Sequence, residues 1–225
     1  MVGTITCAAT ASAEPGYDSE NFLAPRRAME IIVMIFSYLL GSIPTGYIVG
    51  ALAGVDIRKV GSGNVGATNV ARVVGKKRGL LTLIADVGKG FIPVFVAGRL
   101  GFSHTAVALV AILAFLGHLY PVFLKFQGGK GVATALGALL ALAPMATVIL
   151  MVVFALVVGS SRLVSLSSIV AALAAPITLW SLSYPPPVIA MGVFFAVMIT
   201  ARHRDNIRRL FAGTEPRFGS RASSR

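Results

Sequence analysis

The sequence predicts an all-α polytopic membrane protein with seven transmembrane helices, its N-terminus outside and its C-terminus in the cytoplasm. Composition is the first observation behind this. Of 225 residues, 56% are hydrophobic and 12% are charged, about half the charge of a soluble domain. Mean hydropathy is +0.84. The second observation is a series of apolar runs long enough for a bilayer. The third is the placement of Lys and Arg between those runs, which sets the orientation.

Residues 1–29 mix small, polar and charged residues without periodicity and lack the apolar centre of a signal peptide, so they read as a disordered extension. The membrane domain then covers 30–216, and 217–225 is a basic tail. Cys7 is the single cysteine, which leaves no disulfide framework and no thiolate metal site.

Apolar runs at about 31–54, 79–99, 103–126, 163–183 and 186–201 each meet the roughly 17–25 residues that a membrane helix needs. Between them, 131–160 is thirty residues without a charge, long for one span and short for two. Charge decides its form. Loop 55–78 carries Arg58, Lys59, Arg72, Lys76, Lys77 and Arg78. Lys125 and Lys130 flank the next loop, Arg162 the one after, and the arginines of 202–225 close the chain. These clusters share one side only if 131–160 is a short hairpin breaking near Pro144, so the positive-inside rule favours the hairpin and a cytoplasmic C-terminus. Arg26 and Arg27, just before the first span, run against that orientation.

The net charge of +12 follows from this topology, and no soluble domain remains to bind nucleic acid. A basic membrane face favours anionic lipid and phosphorylated substrates.

Under this topology the polar loops face one way. "GSGNVGATNVAR" (61–72) cannot cross lipid, because its backbone donors would go unsatisfied there. Gly61, Gly63 and Gly66, with Ser62, Asn64, Thr68, Asn69 and Arg72, form a candidate phosphate loop. "FQGGKGVAT" (126–134) is the second, with Gly128, Gly129 and Gly131 around Lys130 at a helix start. Glycines let successive N–H groups approach a ligand, and a helix N-terminus favours an anion. A single GGKG equally serves a turn or helix packing. Two such loops on one face, each joined to a cation, favour phosphate.

Two further cytoplasmic elements follow. "SSRLVSLSS" (160–168) offers Ser165, Ser167 and Ser168, as helix back-bonds or as substrate hydroxyls. In "ARHRDNIRRLFAGTEPRFG" (201–219), His203 and Asn206 are three apart and share a face if the helix continues. Arg208, Arg209 and Glu215 come next. Asp86 and Lys89, about two turns into the second span, are spaced to pair. Ionisable groups inside a membrane are costly enough to suggest function, or a structural ion pair. His118 suits a hydrogen-bonded packing role and His104 the outer interface.

Several chemistries are excluded. No His, Cys or carboxylate cluster has metal-ligand spacing, so neither a metal nor another cofactor is expected. No Gly-x-Ser-x-Gly elbow is present. The His-x4-Asp pair of the common glycerolipid acyltransferases is absent too: the residues five after each histidine are Leu109, Phe123 and Arg208.

The blocks "GSIPTGYIVG" (41–50), "IRKVGSGNVGATNVARVVGKKRG" (57–79), "ADVGKG" (85–90), "GHLYPVFLKFQGGKGVAT" (117–134), "SRLVSLSSI" (161–169) and "HRDNIRRLFAGTE" (203–215) resemble the bacterial acyl-phosphate:glycerol-3-phosphate acyltransferases, the PlsY family. The similarity runs from about residue 30 to 216 in order. It implies a seven-helix, N-out enzyme of the bacterial inner membrane with its active site at the cytoplasmic face. It implies transfer of a fatty acyl group from acyl phosphate to glycerol 3-phosphate, giving lysophosphatidic acid and phosphate. A peripheral acyl-phosphate synthase is an implied partner.

By position, Ser62 and Arg72 match the family's first motif, Gly128 to Gly131 its glycine-lysine loop, and His203 and Asn206 its third motif. Ser168 is the nearest match to the serine of the sixth helix, with Ser165 close by. Glu215 is matched as a structural residue. The resemblance implies direct attack of the glycerol 3-phosphate hydroxyl on the acyl carbonyl, with Lys130, Arg72 and loop N–H groups neutralising phosphate. The base is His203 or a substrate phosphate. The rival reading, an anion transporter, predicts midplane charges and internal symmetry; the polar groups here cluster at one face instead.

Overall fold

The computed structural model describes residues 19–217, with side chains from Pro25 onward. Their regular elements are all helices, without strands. Helix α1 (Ser19–Ser42) continues through a break at Ile43–Pro44 into α2 (Thr45–Leu52), and together they run as one apolar rod over Pro25–Leu52. An irregular loop and the short α3 (Ala67–Val74) lead to α4 (Lys76–Arg99) and α5 (His104–Leu119), followed by a 3-10 turn at Val122–Leu124. Then come α6 (Val132–Leu142), α7 (Pro144–Ser161), α8 (Val164–Ser181), α9 (Pro186–Arg202) and α10 (Arg204–Phe211).

Five helical segments are long and apolar enough to cross a membrane: Pro25–Leu52, Lys76–Arg99, His104–Leu124, Pro144–Ser161 and Val164–Ser181. The bent pair α9 and α10, with 60° between them, raises the number to six. Helix α6 has 11 residues, which is about 16 Å of helix against a hydrocarbon core of about 30 Å. Five or six of the seven expected membrane helices therefore meet that length, and α6, the first arm of the short hairpin expected over 131–160, is too short to cross alone. The expected break near Pro144 lies at Ala143, and Pro144 opens α7, where a missing N–H costs nothing.

Helix α1 begins at Ser19, inside the stretch expected to be disordered. Its polar end is tied down by Arg26, which donates to Gly101 O (2.6 Å) and lies 3.9 Å from Glu30 one turn on. The rest of that extension and the end of the basic tail lie outside the described residues.

The core gathers around α5, which packs against α1, α4, α6 and α9. Phe115 and Phe195 meet at its centre with ring centroids 4.6 Å apart, both essentially inaccessible. Between α4 and α6 the backbones touch. A Cβ on Gly90 would lie 2.0 Å from Thr134 O, and one on Gly137 1.9 Å from Val87 O. Small residues allow this approach where lipid offers no hydrophobic drive between helices. Outward apolar side chains such as Ile32, Leu156 and Ile177 are more than half exposed and suit lipid.

Candidate active site

The loop 55–66 is built by Asn69, the third residue of α3, which is 2% exposed. Its Nδ2 donates to Ile57 O (3.1 Å), Val60 O (3.1 Å) and Asn64 O (2.9 Å), and its Oδ1 accepts from Ser62 N (2.9 Å). Asn64 Oδ1 accepts from Gly66 N at 2.8 Å. Asn69 is thus wholly occupied in shaping the loop, whereas Asn64 lends it only Oδ1. Gly61, at φ +66, lies so close to Asn69 Oδ1 that a Cβ would not fit. Ser62 and Thr68 are exposed and Arg72 is half-buried. None of their side-chain polar groups has a partner among the described residues, so all three are open to a ligand.

The second loop is pinned from two sides. Gly128 N donates to Leu119 O and Gly129 N to His118 O, both at 3.1 Å. From the other side Arg202 donates through Nη2 to Gly128 O (2.8 Å) and through Nε to Gly129 O (3.1 Å), with its guanidinium 5.7 Å above the Tyr120 ring. The amides of Gly128 and Gly129 are therefore not available to a phosphate. The donors left at this loop are Lys130 and the first turn of α6, which begins after Gly131 in the left-handed region (φ 82). Phe115 presses where a Gly131 side chain would stand.

Lys130 meets the C-terminal segment. Its Nζ donates to Asn206 Oδ1. Asn206 Nδ2 in turn donates to Glu215 Oε1 (2.6 Å), and Arg209 Nε donates to Glu215 Oε2 (2.8 Å). Burial pulls the Lys130 ammonium down to about 8, against a weaker opposing pull from Glu215. Burial raises Glu215, but hydrogen bonds from Asn206 and Arg209, with the Ser165 hydroxyl nearby, outweigh it and hold the carboxylate below its ordinary range.

His203 is 3% and Asn206 7% exposed. The continuing helix expected to carry both is broken instead: α9 ends at Arg202, and His203 caps the bent α10. The bend still buries both. Nδ1 of His203 sits 2.8 Å from Ile199 O, so that nitrogen carries the proton and Nε2 is the ring's acceptor.

Of the two candidate serines, Ser168 donates to Val164 O of its own helix (2.8 Å). Ser165 is 7% exposed. Its hydroxyl lies beside the Glu215 carboxylate, without a hydrogen bond of ordinary geometry. A buried hydroxyl without a partner is costly unless something binds it.

The structure thus unites Lys130, Ser165, His203, Asn206, Arg209 and Glu215. No hydrogen bond or ion pair among the described residues joins Ser62 or Arg72 to that group. The two loops meet through packing instead, with Leu124 against Ile57, Val65 and Val70. Asp86 and Lys89 form a buried ion pair (2.8 Å), with no hydrogen bond to Lys130 among the described residues. Sequence reading grouped Arg202 with the other tail arginines; its signal was its place beside His203 at the end of an apolar run.

Residues 31–213 match the glycerol-3-phosphate acyltransferase family. Among relatives, the glycerol-3-phosphate acyltransferase of Geobacter sulfurreducens is 47% identical over 84% of this chain and 97% of its own. That of Syntrophotalea carbinolica is 50% identical over 83% and 96%, and that of Aquifex aeolicus 45% over 84% and 98%. The crystal structure of PlsY (YgiH), an integral membrane glycerol 3-phosphate acyltransferase, in its glycerol 3-phosphate form is 44% identical and superposes with a TM-score of 0.83. It covers 85% of this chain and 96% of that one; its lysophosphatidic acid form gives 0.80. With this agreement in sequence, fold and length, the chain belongs to the glycerol-3-phosphate acyltransferase family, in its membrane-embedded PlsY branch.

Proposed function

We propose that the protein transfers a fatty acyl group from acyl phosphate to glycerol 3-phosphate, releasing lysophosphatidic acid and inorganic phosphate. The observation that carries this is half-buried Lys130 set with buried Ser165, His203 and Asn206, held between a pinned glycine loop and a helix break. It supplies cation, hydroxyl and imidazole together at the polar end of an apolar bundle. Both substrates carry phosphate, and one carries an acyl chain that the bundle and lipid can take.

In this reaction the glycerol 3-phosphate hydroxyl oxygen attacks the acyl carbonyl carbon. The acyl C–O bond to phosphate breaks, and phosphate leaves with the bonding pair. The hydroxyl proton passes to His203 Nε2 or to a substrate phosphate. Because phosphate is already a good leaving group, alignment and charge neutralisation are the main work. Lys130 neutralises one phosphate, and Ser62, Thr68 and Arg72 are free to meet the other. Asn206, oriented by Glu215, bridges Lys130 and the acceptor. Ser165, with its idle hydroxyl, is a better substrate contact than Ser168.

The proposed setting is a bacterial inner membrane, with N-terminus outside, C-terminus in the cytoplasm and the loops at the cytoplasmic face. Helix α6 then counts as a seventh, half-length membrane helix returning through α7. Arg26 bonds the Gly101 carbonyl at the turn opposite the loops, which supports opposite sides for the start of α1 and the loops; the positive-inside rule then assigns the cationic loops to the cytoplasm. A peripheral synthase supplying acyl phosphate at that face fits the topology.

The test uses protein reconstituted in lipid with palmitoyl phosphate and glycerol 3-phosphate, following phosphate and lysophosphatidic acid, with palmitoyl-CoA in parallel. Product from acyl phosphate alone is expected. Product from palmitoyl-CoA alone, or full turnover by both Lys130→Ala and His203→Ala, would sink the reading.

A further inference from the structure

The Asp86–Lys89 pair has no part in the chemistry above, yet it is among the most buried polar groups of the chain, at 2% and 5% exposure. Asp86 Oδ1 collects three neighbours from three elements. Thr45 Oγ1 donates to it from the start of α2 (2.5 Å), Lys89 Nζ from one turn on in α4 (2.8 Å), and His118 Nδ1 lies 3.7 Å away at the end of α5. Lys89 also donates to Ile43 O at the break between α1 and α2 (2.5 Å). A small cavity opens onto this cluster, bordered by the break and by Val65 and Pro121.

Two arms of the cluster, through Thr45 and His118, each end on one of the two polar loops. Next to Thr45 is Gly46, whose backbone lies so close to Val65 O that a Cβ would stand 1.8 Å from it. Helix α2 therefore carries the first loop by direct backbone contact. His118 carries the second. Its carbonyl accepts from Gly129 N, and its Nε2 would lie 2.2 Å from a Cβ on Gly129. Lys130 is the next residue. One carboxylate thus stands between the supports of both loops, bonded to Thr45 and 3.7 Å from His118.

The geometry points to Asp86, held by Lys89, as a positioning residue that fixes the distance between the first polar loop and the Lys130 loop. This rests on the acyl-transfer reading above, in which the two loops serve two reactants. Each loop keeps its own internal bonds without Asp86, through Asn69 in one and Arg202 in the other. Loss of the cluster therefore spares binding of each substrate and degrades their mutual alignment. Misplacement on the scale of 1 Å costs about a hundredfold in rate. Removing one partner alone would leave a buried unpaired charge, whereas removing both avoids it.

The experiment compares the full-length protein with Asp86→Asn/Lys89→Met and with Thr45→Val, which deletes one hydroxyl and no charge. Two readouts are taken in lipid. Steady-state kinetics give kcat and KM for palmitoyl phosphate and glycerol 3-phosphate. Spin labels at exposed Lys59 and Gln127, in a Cys7→Ser background, give the interloop distance distribution. The expected result is a broadened or shifted distribution with kcat down about tenfold or more and both KM values within about twofold. Thr45→Val follows in the same direction by less.

An unchanged distribution would overturn the inference, whatever the rate. So would raised KM values on an unchanged distribution, which would make Asp86 a substrate contact. If the double variant does not fold, Thr45→Val decides alone by the same two readouts. Should the parent protein not use acyl phosphate, the catalytic reading fails, while the distance measurement still tests the positioning role.

Discussion

Arg202 holds the Lys130 loop by two bonds, and its removal tests whether that loop must be held. Arg202→Ala deletes the donors to Gly128 O and Gly129 O (2.8 and 3.1 Å) and the packing over Tyr120. A hydrogen bond from a charged group is worth about 1.5–3 kcal/mol. Arg202 is half-buried, and water can replace part of each bond, so about 2 kcal/mol in total is the working figure. Spent on transition-state alignment, that is about thirtyfold in kcat/KM. Arg202→Lys keeps the charge but cannot reach two carbonyls with one planar fork, and is expected to lose nearly as much. The assay is acyl transfer from palmitoyl phosphate to glycerol 3-phosphate in lipid, run as a double-mutant cycle with Lys130→Ala. Because Arg202 acts through the Lys130 loop, its removal should cost little more once Lys130 is gone. Full additivity of the two losses, or wild-type kcat/KM in Arg202→Lys, would refute the reasoning.

Two further outcomes follow from the same site. Burial pulls Lys130 down to about 8, so it is charged below that pH and neutral above it. Since the charged form holds phosphate, kcat/KM for glycerol 3-phosphate should be level approaching pH 8 and decline above it. Lys130→Arg, if active, should lose that decline; an unaltered alkaline limb in Lys130→Arg would assign it to another group. Among the serines, Ser168→Ala removes only a back-bond to Val164 and should leave kcat/KM within about twofold. Ser165→Ala removes the idle buried hydroxyl and should cost about tenfold or more, the scale of one polar contact. The reverse order of these two effects would return the role to Ser168.

Much of the architecture was legible because hydropathy and charge placement act locally. A run of apolar residues reads as a membrane helix wherever it packs, and the break beside Pro144 follows from a missing backbone donor. The site was legible as an inventory: Lys130, His203 and Asn206 were each nameable from their loops. Its wiring was not. Nothing in "GSGNVGATNVAR" separates Asn69, which ties the loop together, from Thr68, which is left open. That difference depends on where the carbonyls of Ile57, Val60 and Asn64 converge.

By itself the sequence determined that this chain lives in a membrane, roughly where it crosses, and which polar loops share a face. Only the tertiary structure decided that His203 caps a bent helix and that the Gly128 and Gly129 amides are already taken. It alone set Arg202 and Asp86 at the joints between loops. The physical reason is that apolar periodicity and net charge are sums over neighbours in sequence, whereas a hydrogen-bond donor is free or occupied according to atoms brought from 70 or more residues away.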